Sequence, residues 1–144
     1  MKTMGTISRN FSYREFEASD VAKRKGITNV ITTVQVRDSI KALVDNVLQP
    51  LRDAWGESLT VNSGYRCQEL NKAAGGVPSS QHVLGEAADI ASDTPWQLAE
   101  LARVLKLPFD QMILYPTFVH FSHRLHGVQR GMILYSKDYK GRRL

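Results

Sequence analysis

A single cysteine, Cys67, stands among the 144 residues, so no intrachain disulfide can form and the disulfide-stapled secreted class is excluded. Nowhere do eighteen apolar residues run together, which excludes a bilayer-spanning helix and predicts no membrane insertion. The opening MKTMGTISRNFSYREF has no uninterrupted apolar stretch of the kind a secretory leader needs. The expectation is therefore synthesis in the cytoplasm without a signal peptide. Internal repeats and low-complexity linkers are absent as well. What remains is ordinary for a globular domain: 42% hydrophobic and 23% charged residues, ten Gly and five Pro. At roughly 100 to 200 residues per domain, residues 1–144 are expected to form one domain, taken as a monomer, with flexible ends at 1–10 and 137–144.

Nineteen Lys plus Arg against fourteen Asp plus Glu leave a charge of +5. Such a surplus favours anionic partners, whether nucleic acid, acidic lipid or an acidic wall polymer. For nucleic acid the only cues are Lys23-Arg24-Lys25 and the Arg142-Arg143 tail, with no basic-aromatic platform or groove-reading motif. No nucleic-acid partner is expected.

Hydrophobic spacing locates the main elements. Val36, Ile40, Leu43, Val44, Val47, Leu48, Leu51 and Trp55 recur at intervals of three and four, one face of an amphipathic helix that Pro50 is expected to kink and Gly56 to end. Upstream, FSYREFEASDVAKRKGI predicts short helices with Ser12 or Ser19 as caps and Gly26 as the stop. SLTVNSGYR reads as a strand entering a turn, Gln68–Ala74 as a short helix, and GEAADIA as a strand. Thr94-Pro95 opens a helix burying Trp96, Leu98, Leu101, Ala102 and Leu105. QMILY and FVHFS flank Pro116-Thr117 as an antiparallel hairpin, and GMILY supplies a further strand. Helices around a few antiparallel strands predict an α+β domain.

The chemistry concentrates in SQHVLGEAAD. His82 and Asp89 lie seven residues apart with Gly85 between them, too far for one regular strand face. A turn at Gly85 lets an imidazole and a carboxylate converge on one ion, and the alanines beside Asp89 leave room there. His120, in FVHFS, is the third candidate. Two histidines and a carboxylate with an open fourth position form a catalytic zinc set. A lone histidine in an apolar strand is also commonly a hydrogen-bonded core residue, and spacing alone leaves both readings open.

SGYRCQELNKAAGGVPSSQHVLGEAADI, with FDQMILYPTFVHFS downstream, resembles the M15 family of zinc D,D-peptidases, the phage and bacterial peptidoglycan peptidases related to D-Ala-D-Ala carboxypeptidases. The resemblance runs from about Phe11 to Ser136. It is most specific in S-x-H-x-x-G-x-A-x-D, met by Ser80, His82, Gly85, Ala87 and Asp89, and in V-H-x-S, met by Val119, His120 and Ser122. It implies a hedgehog/D,D-peptidase-like α+β fold with a small antiparallel sheet and flanking helices. It further implies zinc held by His82, Asp89 and His120, and hydrolysis of peptidoglycan stem peptides. For Arg66, in the SGYR motif, it implies a substrate-binding role, pairing with a stem carboxylate or an oxyanion; the alternative is an arginine tying the Ser63-Gly64 turn. Ser80 is read as orienting His82, touching substrate or capping a loop.

One element of the family pattern is missing. The family usually carries an acid just upstream of the last histidine ligand, as general base, whereas here the nearest upstream acid is Asp110, ten residues away. With Pro116-Thr117 as a two-residue turn, Tyr115 pairs with Phe118 and Ile113 with His120. Gln111, Ile113, Tyr115 and His120 then share one face and Asp110 points away. Tyr115 stands about where the acid belongs and is the catalytic candidate, as a hydrogen-bond donor rather than a base; packing beside Phe118 is its other reading. His123 reaches the site only if its strand ends at Ser122. Glu86 is read as solvated, Cys67 as a small half-buried residue, and His126 carries no signal.

The leading functional expectation is a zinc-dependent peptidoglycan peptidase, a D,D-carboxypeptidase or endopeptidase. It acts at the bacterial wall after phage lysis or as part of a virion alongside other phage proteins. The alternative is a zinc-containing wall-binding or structural module with impaired turnover.

Overall fold

The computed structural model describes residues 5–144. Two short strands, β1 (Thr6–Ser8) and β2 (Phe11–Ser12), open the chain and lead into helices α1 (Tyr13–Glu17) and α2 (Asp20–Lys25). Both serines expected as caps precede a helix: Glu15 accepts from the Ser12 N–H at 2.8 Å, and Ser19 Oγ from the Ala22 N–H at 3.1 Å. Lys23, Arg24 and Lys25 fill the last turn of α2, where cations complement the helix dipole.

The stretch expected as one helix over Val36–Trp55 comprises three consecutive segments: α3 (Val34–Leu43), a π-helical turn (Val44–Leu48) and α4 (Gln49–Trp55). The wide turn is how Pro50 is accommodated. A proline ring clashes with the carbonyl four residues back and offers it no N–H. Here the Gln49 N–H already bonds Val44 O, five residues back, so the ladder has shifted before Pro50 enters it. Ile40, Leu43, Val44, Val47, Leu48 and Leu51 are fully buried along this stretch.

After α4 come β3 (Val61–Ser63), α5 (Gln68–Ala73), α6 (Gln81–Leu84), β4 (Ala87–Ala91), α7 (Pro95–Val104), β5 (Gln111–Leu114), β6 (Phe118–Ser122) and β7 (Met132–Tyr135). The five-stranded sheet has the order β3-β4-β6-β5-β7. β3/β4, β4/β6 and β5/β6 are antiparallel, while β7 adds parallel to β5. The sheet is thus mostly antiparallel, and the fold is the α+β fold of the expectation, with one parallel pair that sequence patterning did not specify.

Register positions the site. In the β5–β6 hairpin Ile113 lies opposite His120 and Leu114 opposite Val119, and the Tyr115 N–H bonds Phe118 O at 2.9 Å around Pro116-Thr117. On the other side of β6, Asp89 lies directly opposite His120. Alternation sends Ala88, Ile90, Met112, Leu114, Val119 and Phe121 into the core with Leu98, Ala99 and Ala102 of α7. Each large side chain among them contributes about 1.5–3 kcal/mol of burial. Asp89, Ile113 and His120 emerge on the opposite face.

One expectation, on α7, is corrected, and both ends expected to be flexible make contacts. At the first, Ile7 and the adjoining Phe11 join the core, and the buried Gln49 amide donates to Asn10 Oδ1 (2.8 Å) and Asp53 Oδ1 (2.9 Å) while accepting from the Asn10 N–H (3.2 Å) and the Ser8 hydroxyl. Residues 1–4 of that expected end lie outside the described residues. In the closing 137–144 segment Tyr139 is buried and the Arg142 and Arg143 guanidinium groups lie over the Trp96 and Tyr135 rings. In α7 the buried residues are Pro95, Leu98, Ala99 and Ala102; Leu105 caps the end of the helix and is exposed, while Trp96 and Leu101 are half-buried.

Candidate active site

His82 sits on α6, a single helical turn whose N-cap, Ser80, accepts the His82 N–H through its Oγ at 3.2 Å. Gly85 closes that turn in the left-handed region, at φ 77°, and lies so close to α3 that an added Cβ would fall 2.8 Å from Val36 O. The chain then reverses into β4, which carries Asp89. His82 Nδ1 is 2.7 Å from the Gly64 carbonyl. A carbonyl only accepts, so Nδ1 carries the proton and Nε2 presents its lone pair. That nitrogen faces Asp89 Oδ1 at 3.4 Å, and His120 Nδ1 approaches the same oxygen at 2.9 Å. One ligand atom from each of the three residues lies within 4.8 Å of the other two, a grouping able to hold a metal ion.

All three side chains are largely withdrawn from water. Burial works to raise the Asp89 carboxyl, but the two imidazoles beside it, His120 first, outweigh it and hold the group well below the usual carboxylate range. The lowered pKa favours the carboxylate form that metal ligation requires.

The three residues line an open groove of about 490 Å³. Arg66 and Ser80 line it too. The Arg66 guanidinium is held by Ser63 Oγ and Asn71 Oδ1, both at 3.2 Å, with Nη2 4.0 Å from Asp89 Oδ2. It ties the turn and also faces the groove. Tyr115 is half-buried on the groove wall, stacked on Phe118 at 4.2 Å between ring centroids. Burial and the Asp89 charge push its phenol above 10, with Arg66 opposing. It therefore keeps its proton at neutral pH.

Asp110 does point away from the metal-binding atoms. It is fully buried and clamped by Arg130, through Nε at 3.0 Å and Nη2 at 2.6 Å. The hydrogen bonds to Arg130 pull its carboxyl down to about 2, against the cost of burial. β6 ends at Ser122, yet His123 is buried outside the groove lining, with its N–H on Glu86 O at 2.9 Å. Burial pushes its imidazole below the ordinary range, opposed by Glu86 and Asp110. Glu86 is not solvated as expected: its carboxylate accepts from Gln81 Nε2 at 3.2 Å and from the Leu125 N–H at 3.1 Å. Cys67 is half-buried at the N-cap of α5, and His126 is exposed.

Two groove features escaped the sequence reading. Gln81 and Arg130 both line the groove and meet on the Asp110 carboxylate, a convergence of segments about thirty and twenty residues from Asp110 with no local motif. Asn29 escaped as well. Buried, it donates to Glu17 O and Tyr65 O at 2.9 Å and accepts the Cys67 N–H at 2.8 Å, bracing the loop that carries Arg66.

The family description for peptidase M15 matches residues 9–123. The chain belongs to the peptidase M15 family. No curated protein matches it. Membership makes this a metallopeptidase-family chain with a peptide substrate, and His82, Asp89 and His120 are its candidate metal site. The matched span carries all three. The M15 match ends at His123, so the 124–131 loop and β7 lie beyond it. No helix among the described residues is long and apolar enough to cross a membrane.

Proposed function

We propose that this M15 chain hydrolyses peptide bonds in peptidoglycan stem peptides, with zinc held by His82, Asp89 and His120. The observation that carries the proposal is the convergence of the three ligand atoms in an open groove, with the His82 tautomer set by Gly64 O. Two imidazoles and one carboxylate with room for a fourth ligand suit a catalytic zinc. When bound, zinc lowers the pKa of its water to about 7 and polarises the scissile carbonyl. Arg66 then orients a stem carboxylate through its outward edge, Ser80 holds the α6 turn and contacts the peptide, and the Tyr115 hydroxyl donates to the oxygen on which charge develops. The site of action is the bacterial wall, reached after phage lysis or as part of a virion, and the +5 charge assists adhesion to that anionic polymer.

A second reading has its own observation. Among the described residues, Asp89 is the only side-chain carboxylate lining the groove, and none of them offers a second acid there as general base. A positioned base contributes roughly a hundred- to ten-thousand-fold, and its lack favours slow turnover or a wall-binding module. Digestion of purified peptidoglycans of several cross-link chemistries by the zinc-loaded protein, read by mass spectrometry, separates the two. Cleavage at one defined bond, absent in His82→Ala, establishes the peptidase. Intact stems beside stoichiometric zinc establish the module.

A further inference from the structure

We propose that Arg130 is a substrate-anchoring residue of the groove, taking a carboxylate carried by the bound peptide. It lies beyond the span matched by the M15 family, on the loop between β6 and β7, yet it lines the same groove as His82, Asp89 and His120. Its guanidinium is engaged side-on: Nε and Nη2 donate to the two oxygens of the buried Asp110, and the Arg130 backbone N–H adds a third bond at 2.9 Å. That grip uses one edge of the fork. The Nη1 edge makes no hydrogen bond among the described residues, and the side chain remains 45% exposed.

The loop is built to hold that edge still. His123 and Leu125 give their N–H groups to Glu86, and Gln129 both accepts from the Arg124 N–H at 2.8 Å and donates to Arg124 O at 2.9 Å. The Gly131 N–H closes the loop on Phe109 O at 3.2 Å. A planar donor fork fixed before substrate arrives loses little freedom on binding, which is where pre-organisation gains affinity. Asp110 balances the formal charge of Arg130, so the anchor works through directed hydrogen bonds rather than long-range attraction, and its effect should vary little with salt. The groove favours an anion: Arg66 and Arg130 face it, and Asp89, the one carboxylate lining it among the described residues, is engaged by two imidazoles.

The identity of the peptide rests on the proposed function, so binding and turnover are read separately. Calorimetry on the zinc-loaded protein compares one stem peptide with its acidic residue free and the same peptide with that carboxylate amidated. Wild type should bind the free acid about tenfold or more tightly, as a charge-assisted hydrogen bond implies. Arg130→Gln should erase that preference, leave the amidated peptide's affinity unchanged, and raise KM without lowering kcat. Should Arg130→Gln unfold because Asp110 is left buried and unpaired, the double variant Asp110→Asn/Arg130→Gln restores a neutral pair and takes its place. A preference that survives the substitution, or equal loss on both peptides, overturns the inference. An Arg130-dependent preference without turnover overturns the peptidase reading alone, turnover without a preference overturns this inference alone, and no binding of either peptide overturns both.

Discussion

Gly85 is the point where backbone geometry and site geometry meet, and replacing it with alanine separates two costs. The first is conformational: at φ 77° an L-residue pays about 1–2 kcal/mol for the left-handed region. The second is steric, because the new Cβ would lie 2.8 Å from Val36 O, 2.9 Å from Val36 Cγ1 and 3.1 Å from Ile40 Cγ1. Backbone and a packed core side chain cannot yield without shifting α6 from α3, and overpacking of this kind costs about 1–3 kcal/mol. Gly26 supplies the control. It ends α2 at φ 67° with open space around it, so Gly26→Ala carries only the first cost. At roughly 3–4 °C per kcal/mol for a chain of this size, calorimetry of the metal-free proteins should show Tm falling by about 6–20 °C for Gly85→Ala and about 3–8 °C for Gly26→Ala. Because Gly85 links His82 to the strand of Asp89, only Gly85→Ala should also weaken metal binding, about tenfold or more. Equal Tm losses in the two variants, or undiminished metal affinity in Gly85→Ala, would refute the reasoning.

Other expectations follow from named contacts. Asn29→Ala removes the bonds to Glu17 O, Tyr65 O and the Cys67 N–H; chemical denaturation should register a loss of about 2–4 kcal/mol, and KM should rise as the Arg66 loop loosens. Tyr115→Phe should lower kcat about a hundredfold if the phenol donates to the oxyanion, and since burial and Asp89 hold that phenol above 10, the pH–rate profile should show no limb from it below that pH. Tyr115→Glu, which places an acid where the family carries one, should raise the hydrolysis rate; an unchanged rate would show that position 115 does not face the reacting water. The Asp110 carboxyl is depressed in the fold, so its contribution is fully present above its unfolded value of 3.8 and is lost as pH falls toward about 2. With the partner Arg130 half-open to water, the loss amounts to about 1–2 kcal/mol, visible as a flatter acid-unfolding curve in Asp110→Asn/Arg130→Gln than in the parent.

The parts of the molecule legible in the sequence are those encoded by short-range pattern. Apolar spacing at three and four located the long helical stretch, and alternation around Pro116-Thr117 placed Ile113 opposite His120, which the hairpin register reproduces. The S-x-H-x-x-G-x-A-x-D spacing brought His82 and Asp89 together because a left-handed Gly85 reverses the chain between them. What stayed illegible depends on partners far along the chain. The contacts of Arg9 and Asn10 come from Gln49 and Asp53, some forty residues away. Parallel addition of β7 to β5 depends on a loop with no periodic signal. Glu86 read as solvated because strand alternation turned it away from Asp89, and it is the 123–125 backbone, thirty-nine residues on from Glu86 at Leu125, that occupies it. Arg130 had no motif at all, only a buried acid just ahead of β5 to receive it.

The central claim is that a metal ion held by His82, Asp89 and His120 makes this groove hydrolytic. Titrating zinc into metal-free protein while following release of stem-peptide fragments tests it most directly. Release should be absent without metal, rise to saturation at one equivalent of zinc per chain, and be absent at any zinc level in His120→Ala. Hydrolysis by the metal-free protein, or an undiminished rate in His120→Ala, would contradict it.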